Sequence, residues 1–295
     1  MLYNYKMKKY ISGLILGIYM SLTHADIPKS FNVYINGSGL STTLCRAVVD
    51  EYNKMYNSQS VLVSKPGAAG LIATLEMVKD KNFSFYCFAA ASELVFNRTV
   101  YPGHEKEHDM LTPVTLIAEA PIVFNTRVSN SVNTLPELIA SNKPLTVGYH
   151  TTTALILGKK IFNNGTTTFV AYKAAHESLA SLIDGSVDVY IDGGTLSGKN
   201  YVGVLKSLGH IYGPKSTPGV NITNTFANSK IPRSVSAMMT STNNASYIEE
   251  LNRRLNIILK HDSIVNIITS LNNQPLYLSV KESNEYIDSI RKFSN

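Results

Sequence analysis

The sequence has no tryptophan, two cysteines and no block of like charges, and each shortage removes a class of function. Without Trp, and with no interleaving of aromatic and basic residues, there is no stacking platform for single-stranded nucleic acid. The net charge of +6 includes the lysines at the extreme N-terminus, and the remaining basic excess is spread along the chain. That is a weak attraction for anions and gives no reason to expect a nucleic-acid partner. No Cys/His spacing surrounds Cys45 or Cys87, so they are not a metal pair, and no cofactor is implied. No Gly-x-Ser-x-Gly elbow occurs, which removes the commonest serine-hydrolase signature.

Long apolar runs are also lacking, with one exception at the start. Lys6, Lys8 and Lys9 precede an apolar run from Ile11 to Met20, and Thr23-His24-Ala25 places small residues where a signal peptidase reads them. Residues 1–25 are therefore expected to be a signal peptide cleaved after Ala25, giving an exported protein. A retained membrane anchor is the alternative, but the run falls short of the roughly 20 apolar residues a span requires. No Cys near the cleavage site suggests a lipid anchor, and the mature chain is expected to be a soluble monomer. In an exported chain disulfides are permitted. The plainer reading of Cys45, in an expected helix, and Cys87, in an expected strand, is two buried free thiols; a disulfide requires an adjacency the spacing does not show.

What remains has an ordinary apolar content of 44% and alternates strand-like with helix-like stretches. Asn32–Ile35, Val61–Ser64 and Phe83–Ala89 read as strands, with helices from Leu44 to Met55 and from the Gly67-Ala68-Ala69-Gly70 turn to about Lys79. A second cycle has extended stretches at Val114–Ala118 and Ile122–Asn125, interrupted at Pro121. A helix follows from Leu135, then strands at Leu145–Gly148, Thr167–Ala171 and Val187–Ile191. Helices Ala154–Phe162 and Glu177–Ile183 separate these strands, the latter stopped by Gly185. Val235–Met239 reads as a strand, and Ala245–Lys260, Asp262–Leu271 and Val280–Phe293 as helices. Two βαβαβ cycles with a returning helical end predict an α/β fold of two lobes, each a mostly parallel sheet flanked by helices. The expected division is lobe 1 from 26–122 plus 240–295, and lobe 2 from 123–239.

In such sheets a ligand sits outside the carboxyl ends of the strands, so the strand-to-helix loops carry the site. Asn36 to Thr43 and Gly148 to Thr153 are both such loops, rich in Gly, Ser and Thr. A helix start offers unpaired N–H groups and the positive end of the helix dipole, which suits a carboxylate; an ordinary N-cap explains either loop alone. A third loop, Pro66 to Gly70, opens the second helix. Two decoys stand apart. His104-Glu105-Lys106-Glu107-His108 has the spacing of a zinc-protease helix, which makes an exported zinc-dependent hydrolase the rival reading. The segment is charged throughout and follows Pro102-Gly103, so a solvated loop is expected there. Gly193 to Lys199 imitates a phosphate loop, but Asn200 stands where Ser or Thr should meet magnesium.

Four stretches in order resemble one family. "KPGAAGLIATLEMVK" from Lys65 is similar to an Arg-Pro-Gly-Ala-Gly-Gly stretch and its helix. "TPVTLIAEAPIVFNTRVSNSVNTLPELIA" from Thr112 resembles a pair of crossing strands and the helix after them. "AYKAAHESLASLIDGSVDVYIDG" from Ala171 resembles a Tyr-Lys-Gly…Leu-x-x-Gly-x-Val-Asp block, and the C-terminal helices agree in order. The family is the Bug family, the periplasmic receptors of tripartite tricarboxylate transporters. The resemblance implies a two-lobed Venus flytrap of the type II periplasmic-binding class. It also implies a small carboxylate ligand, no catalysis, and delivery to membrane permease subunits or, in some members, signalling to a sensor kinase. Its loops carry over to Ser38, Gly39, Thr42, Ala68, Ser92, His150, Thr151, Thr152, Tyr172 and Asp192 as ligand contacts. Ser38, Thr42, Thr151 and Thr152 are expected to donate to carboxylate oxygens, and Asp192 to order water or accept from a ligand hydroxyl. The chain departs from the family where Thr42 replaces an acid, where Ala174 replaces a Gly, and in lacking a Trp-Gly signature before Val235. The missing acid implies a ligand without an amine.

Overall fold

A computed structural model describes residues 27–36, 40–80, 84–88, 95–97, 100–193, 203–213, 217, 219–224 and 234–294. The expected leader and the Gly193–Lys199 imitation of a phosphate loop beyond its first residue lie outside these residues. Among the described residues no helix is long and apolar enough to cross a membrane.

The first sheet is built from β1 (Asn32–Ile35), β2 (Val61–Ser64), β3 (Ser84–Phe88), β4 (Thr112–Ala120), β10 (Ser234–Thr240) and β11 (Gln274–Pro275), in the order β11-β4-β10-β3-β1-β2. β1 runs parallel to both β2 and β3, while β10 is antiparallel to β3 and β4. Successive side chains of a strand point to opposite faces, and this sheet is covered on both. Val33, Ile35 and Met238 face one core with α1 (Leu40–Tyr56), α7 (Ala245–Leu259) and α8 (Asp262–Ser270). Tyr34, Val235, Ala237 and Met239 face a second core with α2 (Leu71–Lys79) and α9 (Val280–Ser294). Helix α1 docks through Leu44, Val48 and Tyr52, spaced four apart and all buried, so they form one stripe. Phe31 then packs edge-on against Tyr52 and Phe85, with ring centroids 5.3 and 4.8 Å apart.

The second sheet contains β5 (Ile122–Arg127), β6 (Thr146–Tyr149), β7 (Thr168–Ala171), β8 (Val189–Asp192) and β9 (Leu205–Ile211), ordered β7-β6-β8-β5-β9. β6 is parallel to β7 and β8; β5 is antiparallel to β8 and β9. Three helices belong with it: α4 (Leu135–Ala140), α5 (Thr152–Ile161) and α6 (Ala175–Asp184). Thr134 caps α4, accepting from the Glu137 N–H, and Pro136 lies in its first turn. Gly185 ends α6 at φ 93°, a left-handed conformation that favours glycine. Arg127 Nη1 donates to the carbonyls of Leu182 and Val187 beside it, placing a cation where α6 leaves carbonyls without helical partners.

The two-lobed α/β architecture follows the expectation from the alternating pattern. The chain crosses between the sheets at Pro121, from β4 into β5, and again between β9 and β10. These crossings place the sheet boundaries differently from the expected division. Ile122 pairs with Ile211 in the second sheet, and Ser234–Thr240 is hydrogen-bonded within the first sheet, between β3 and β4. The reason is pairing: an apolar strand buried along its whole length needs neighbours on both edges, and β3 and β4 supply them.

Two further readings are corrected, and one strand is new. Cys45 and Cys87 are not free thiols but a disulfide, joining α1 to β3 with Cα atoms 6.1 Å apart. The residues are brought together by the docking of α1 on the sheet, which spacing alone does not reveal. The expected solvated loop at His104–His108 is instead a helix of 5 residues, α3 (Glu105–Asp109), with His108 buried. β9 has no counterpart in the sequence reading. Its register shifts against Phe124 and Asn125, leaving Leu208 as an extra residue between Ser207 and Gly209. A bulge of this kind breaks the two-residue alternation by which strands are recognised.

Candidate functional site

The carboxyl ends of the parallel strands in the two sheets lead to the loops expected to carry chemistry. In lobe 1, β2 runs into the turn 67–70. Gly67, Ala68, Ala69 and Gly70 all have positive φ, at 120°, 47°, 47° and 89°. Two of these are alanines, so the backbone here is held in a region that only glycine enters without steric cost. The turn closes through Gly70 N–H donating to Gly67 O at 3.1 Å. Gly67, at φ 120°, occupies backbone that a side chain would strain.

In lobe 2, β6 leads through His150 and Thr151 into α5. Thr151 is the N-cap, its Oγ1 accepting from the Ala154 N–H at 3.1 Å. Thr152 is buried and turns the other way. Its Oγ1 donates to Asn97 Oδ1 at 3.0 Å, and Asn97 Nδ2 donates to Ala69 O at 2.8 Å. The loop of one lobe and the helix start of the other are thereby joined through a single buried amide. Thr152 was expected to donate to a ligand; in this arrangement its proton is committed to Asn97.

A second constellation lies beside the first. His150 Nδ1 stands 2.8 Å from Tyr190 Oη, and Tyr190 Oη donates to Asp192 Oδ1 at 3.2 Å. Tyr190 and Asp192 are both buried in β8. Burial, and then the charge and hydrogen bond of Asp192, hold the Tyr190 hydroxyl well above the ordinary tyrosine value, so it keeps its proton. That one proton goes to Asp192, and Nδ1–H of His150 donates to Tyr190. Nε2 of the neutral ring is then the acceptor. Burial holds the His150 imidazole below its ordinary value, while the charge of Asp192 pulls it upward.

The expected contacts thus fall into groups. Ala68 stands beside Ala69, which Asn97 joins to Thr152; His150 and Asp192 are joined through Tyr190. Tyr172 flanks Gly148, where a Cβ would lie 3.3 Å from Tyr172 Cε2. Thr42 lies within the first turn of α1 and is partly buried. Ser38, Gly39 and Ser92 lie outside the described residues. Two residues of the site went unnoticed in the sequence. Tyr190 could have been found, because it precedes Asp192 by two on a strand and so shares its face. Asn97 carries no local signal, since its role exists only when the lobes meet.

The two histidines of the rival metal reading differ in exposure. His104 stands at the N-cap position of α3 without a capping side-chain bond, its side chain 40% exposed, while His108 is buried. Among the described residues no three His, Cys, Asp or Glu stand together as a metal group.

No family model and no curated protein sequence matches the chain. Solved structures do. The periplasmic binding protein BugD superposes with a TM-score of 0.73 at 13% identity, covering 91% of this chain and 96% of its own. An R. palustris protein solved with adipate gives 0.73 at 20% identity, covering 90% and 95%. MatC from Rhodopseudomonas palustris, with bound malate, gives 0.72 at 15% identity, covering 91% and 100%. The two sheets, their double crossing and the flanking helices are therefore the fold of the two-lobed periplasmic binding proteins.

Proposed function

We propose that the chain is a non-enzymatic, exported receptor that captures a small carboxylate between its lobes. The observation that carries this reading is the meeting of two strand-to-helix turns across the cleft: the left-handed turn 67–70 and the N-terminus of α5, within one side chain of each other. The first-turn N–H groups of α5 and the Thr151 hydroxyl offer a polar, anion-favouring lining, and Nε2 of His150 is an acceptor for a ligand hydroxyl. Two structures of this fold hold adipate and malate, which supports the ligand class. Of the expected contacts, Ser38, Gly39, Thr42, Ala68, Ser92, Thr151, His150 and Tyr172 remain candidates for touching the ligand. Asp192 acts behind His150, and Thr152 behind Asn97. Thr42, in place of an acid, favours a ligand without an ammonium group.

The same reading makes residues 1–25 a leader removed after Ala25, and a tripartite tricarboxylate-type permease the recipient of the ligand. Titration calorimetry tests the ligand class. Saturable binding of plain mono-, di- or tricarboxylates such as adipate and malate, in preference to amino acids of the same length, is expected. Binding of sugars or metal ions with no response to any carboxylate would overturn it.

A further inference from the structure

We propose that Asn97 is a positioning residue that latches the two lobes together and holds the turn 67–70 in its left-handed form. The proposal extends the receptor reading, because it concerns how the ligand-facing segments are held. Asn97 is fully buried and uses both ends of its amide. The orientation of that amide is fixed by chemistry: Ala69 O can only accept, so Nδ2 must face it, and Oδ1 must face Thr152, which must donate. A flip of the amide would set Oδ1 against the Ala69 carbonyl and lose that bond. The chain of donors therefore runs one way, from Thr152 of lobe 2 through Asn97 to the backbone of lobe 1.

An independent contact lies one helical turn further along α5. Ile156, four residues after Thr152 and on the same helical face, packs against the lobe 1 core containing Val95, Phe96, Ala73 and Met77. One edge of α5 thus presents a hydroxyl to Asn97 and an aliphatic chain to the residues around it. Opening the cleft withdraws both at once, leaving Asn97 Oδ1 without its donor and Ile156 in water. Closure is favoured accordingly, before any ligand arrives. The turn 67–70 feels the same event. Ala68 and Ala69 sit at φ 47°, and the carbonyl between Ala69 and Gly70 is held by the amide that Thr152 orients. Lobe closure and the shape of the ligand-facing turn are coupled through one side chain.

Small-angle X-ray scattering of the unliganded full chain tests the latch without any assumption about the ligand. Thr152→Val keeps the shape of the side chain and removes the donor; Thr152→Ser keeps the hydroxyl. Thr152→Val is expected to melt cooperatively yet show a larger radius of gyration and a longer interlobe distance distribution, with Thr152→Ser matching the parent. Amide exchange at Gly70 is expected to rise about fivefold in Thr152→Val, the worth of one buried hydrogen bond. Ile156→Ala trims only the apolar half of the latch and is expected to shift the scattering in the same direction. Scattering unchanged in Thr152→Val or, should that variant not fold, in Ile156→Ala overturns the proposal. Either result leaves the carboxylate reading standing or falling on calorimetry alone.

Discussion

At the scale of single residues, His150 ties the site to pH. Its imidazole is held below the usual value of about 6.5 by burial, against the upward pull of Asp192. The unfolded chain therefore binds a proton more readily than the folded one. The sign follows: this contribution to stability is fully present above about pH 6.5 and is lost as pH falls through the folded-state value. Urea denaturation between about pH 8 and pH 5 should show the parent losing stability on acidification, and His150→Gln losing less. Equal losses in the two proteins would remove His150 from the account. Tyr190→Phe takes away the hydroxyl that bridges His150 and Asp192. With Asp192 buried, losing that donor should cost about 1–3 kcal/mol in denaturant titrations. A cost near zero would mean that the bridge is not formed in solution. The proton order at this site was beyond the sequence, although its two β8 members stand two apart and so announce a shared face.

At the scale of elements, the disulfide sets the relation of α1 to β3. It joins the second turn of α1 to the C-terminal end of β3. Cross-linking residues separated by 42 in sequence restricts the unfolded chain by about 4 kcal/mol in the chain-entropy picture. Denaturation in the presence of a reductant, or of the Cys45→Ala, Cys87→Ala double variant, should show a loss of that order. A loss under about 1 kcal/mol would argue that the native state is strained by the bond or the unfolded chain already compact.

Element identity was largely legible where a helix has an apolar stripe. Leu44, Val48 and Tyr52 in α1, and Ile248, Leu251, Leu255 and Ile258 in α7, are periodic in sequence and buried in the structure. The stop at Gly185 was legible from glycine's access to positive φ. What escaped were features set by neighbours rather than by period. The extra Leu208 hides β9, and β10 shows its place only by pairing with β3 and β4. The conformation of 67–70 escaped for a different reason: alanine gives no warning of a left-handed backbone. Asn97 and Asn272 belong with these, since Asn272 Nδ2 donates to Thr217 Oγ1 at 3.1 Å only because the lobes are in contact.

At the scale of the whole molecule, the chain passes between the two sheets twice, at Pro121 and between β9 and β10. Contacts between lobes then decide where the cleft rests. Asn97–Thr152 and Ile156 hold α5 of lobe 2 against lobe 1, and Asn272–Thr217 adds a further tie. A ligand lodged between these surfaces is bound only by the folded, closed chain, so it must stabilise the fold by linkage. That requirement turns the central claim, capture of a small carboxylate between the lobes, into a direct measurement. A thermal-shift series over mono-, di- and tricarboxylates should find at least one that adds about 2.7 kcal/mol of stability at 100 times its dissociation constant. A flat response to every carboxylate, with sugars or metal ions stabilising the chain instead, would contradict it.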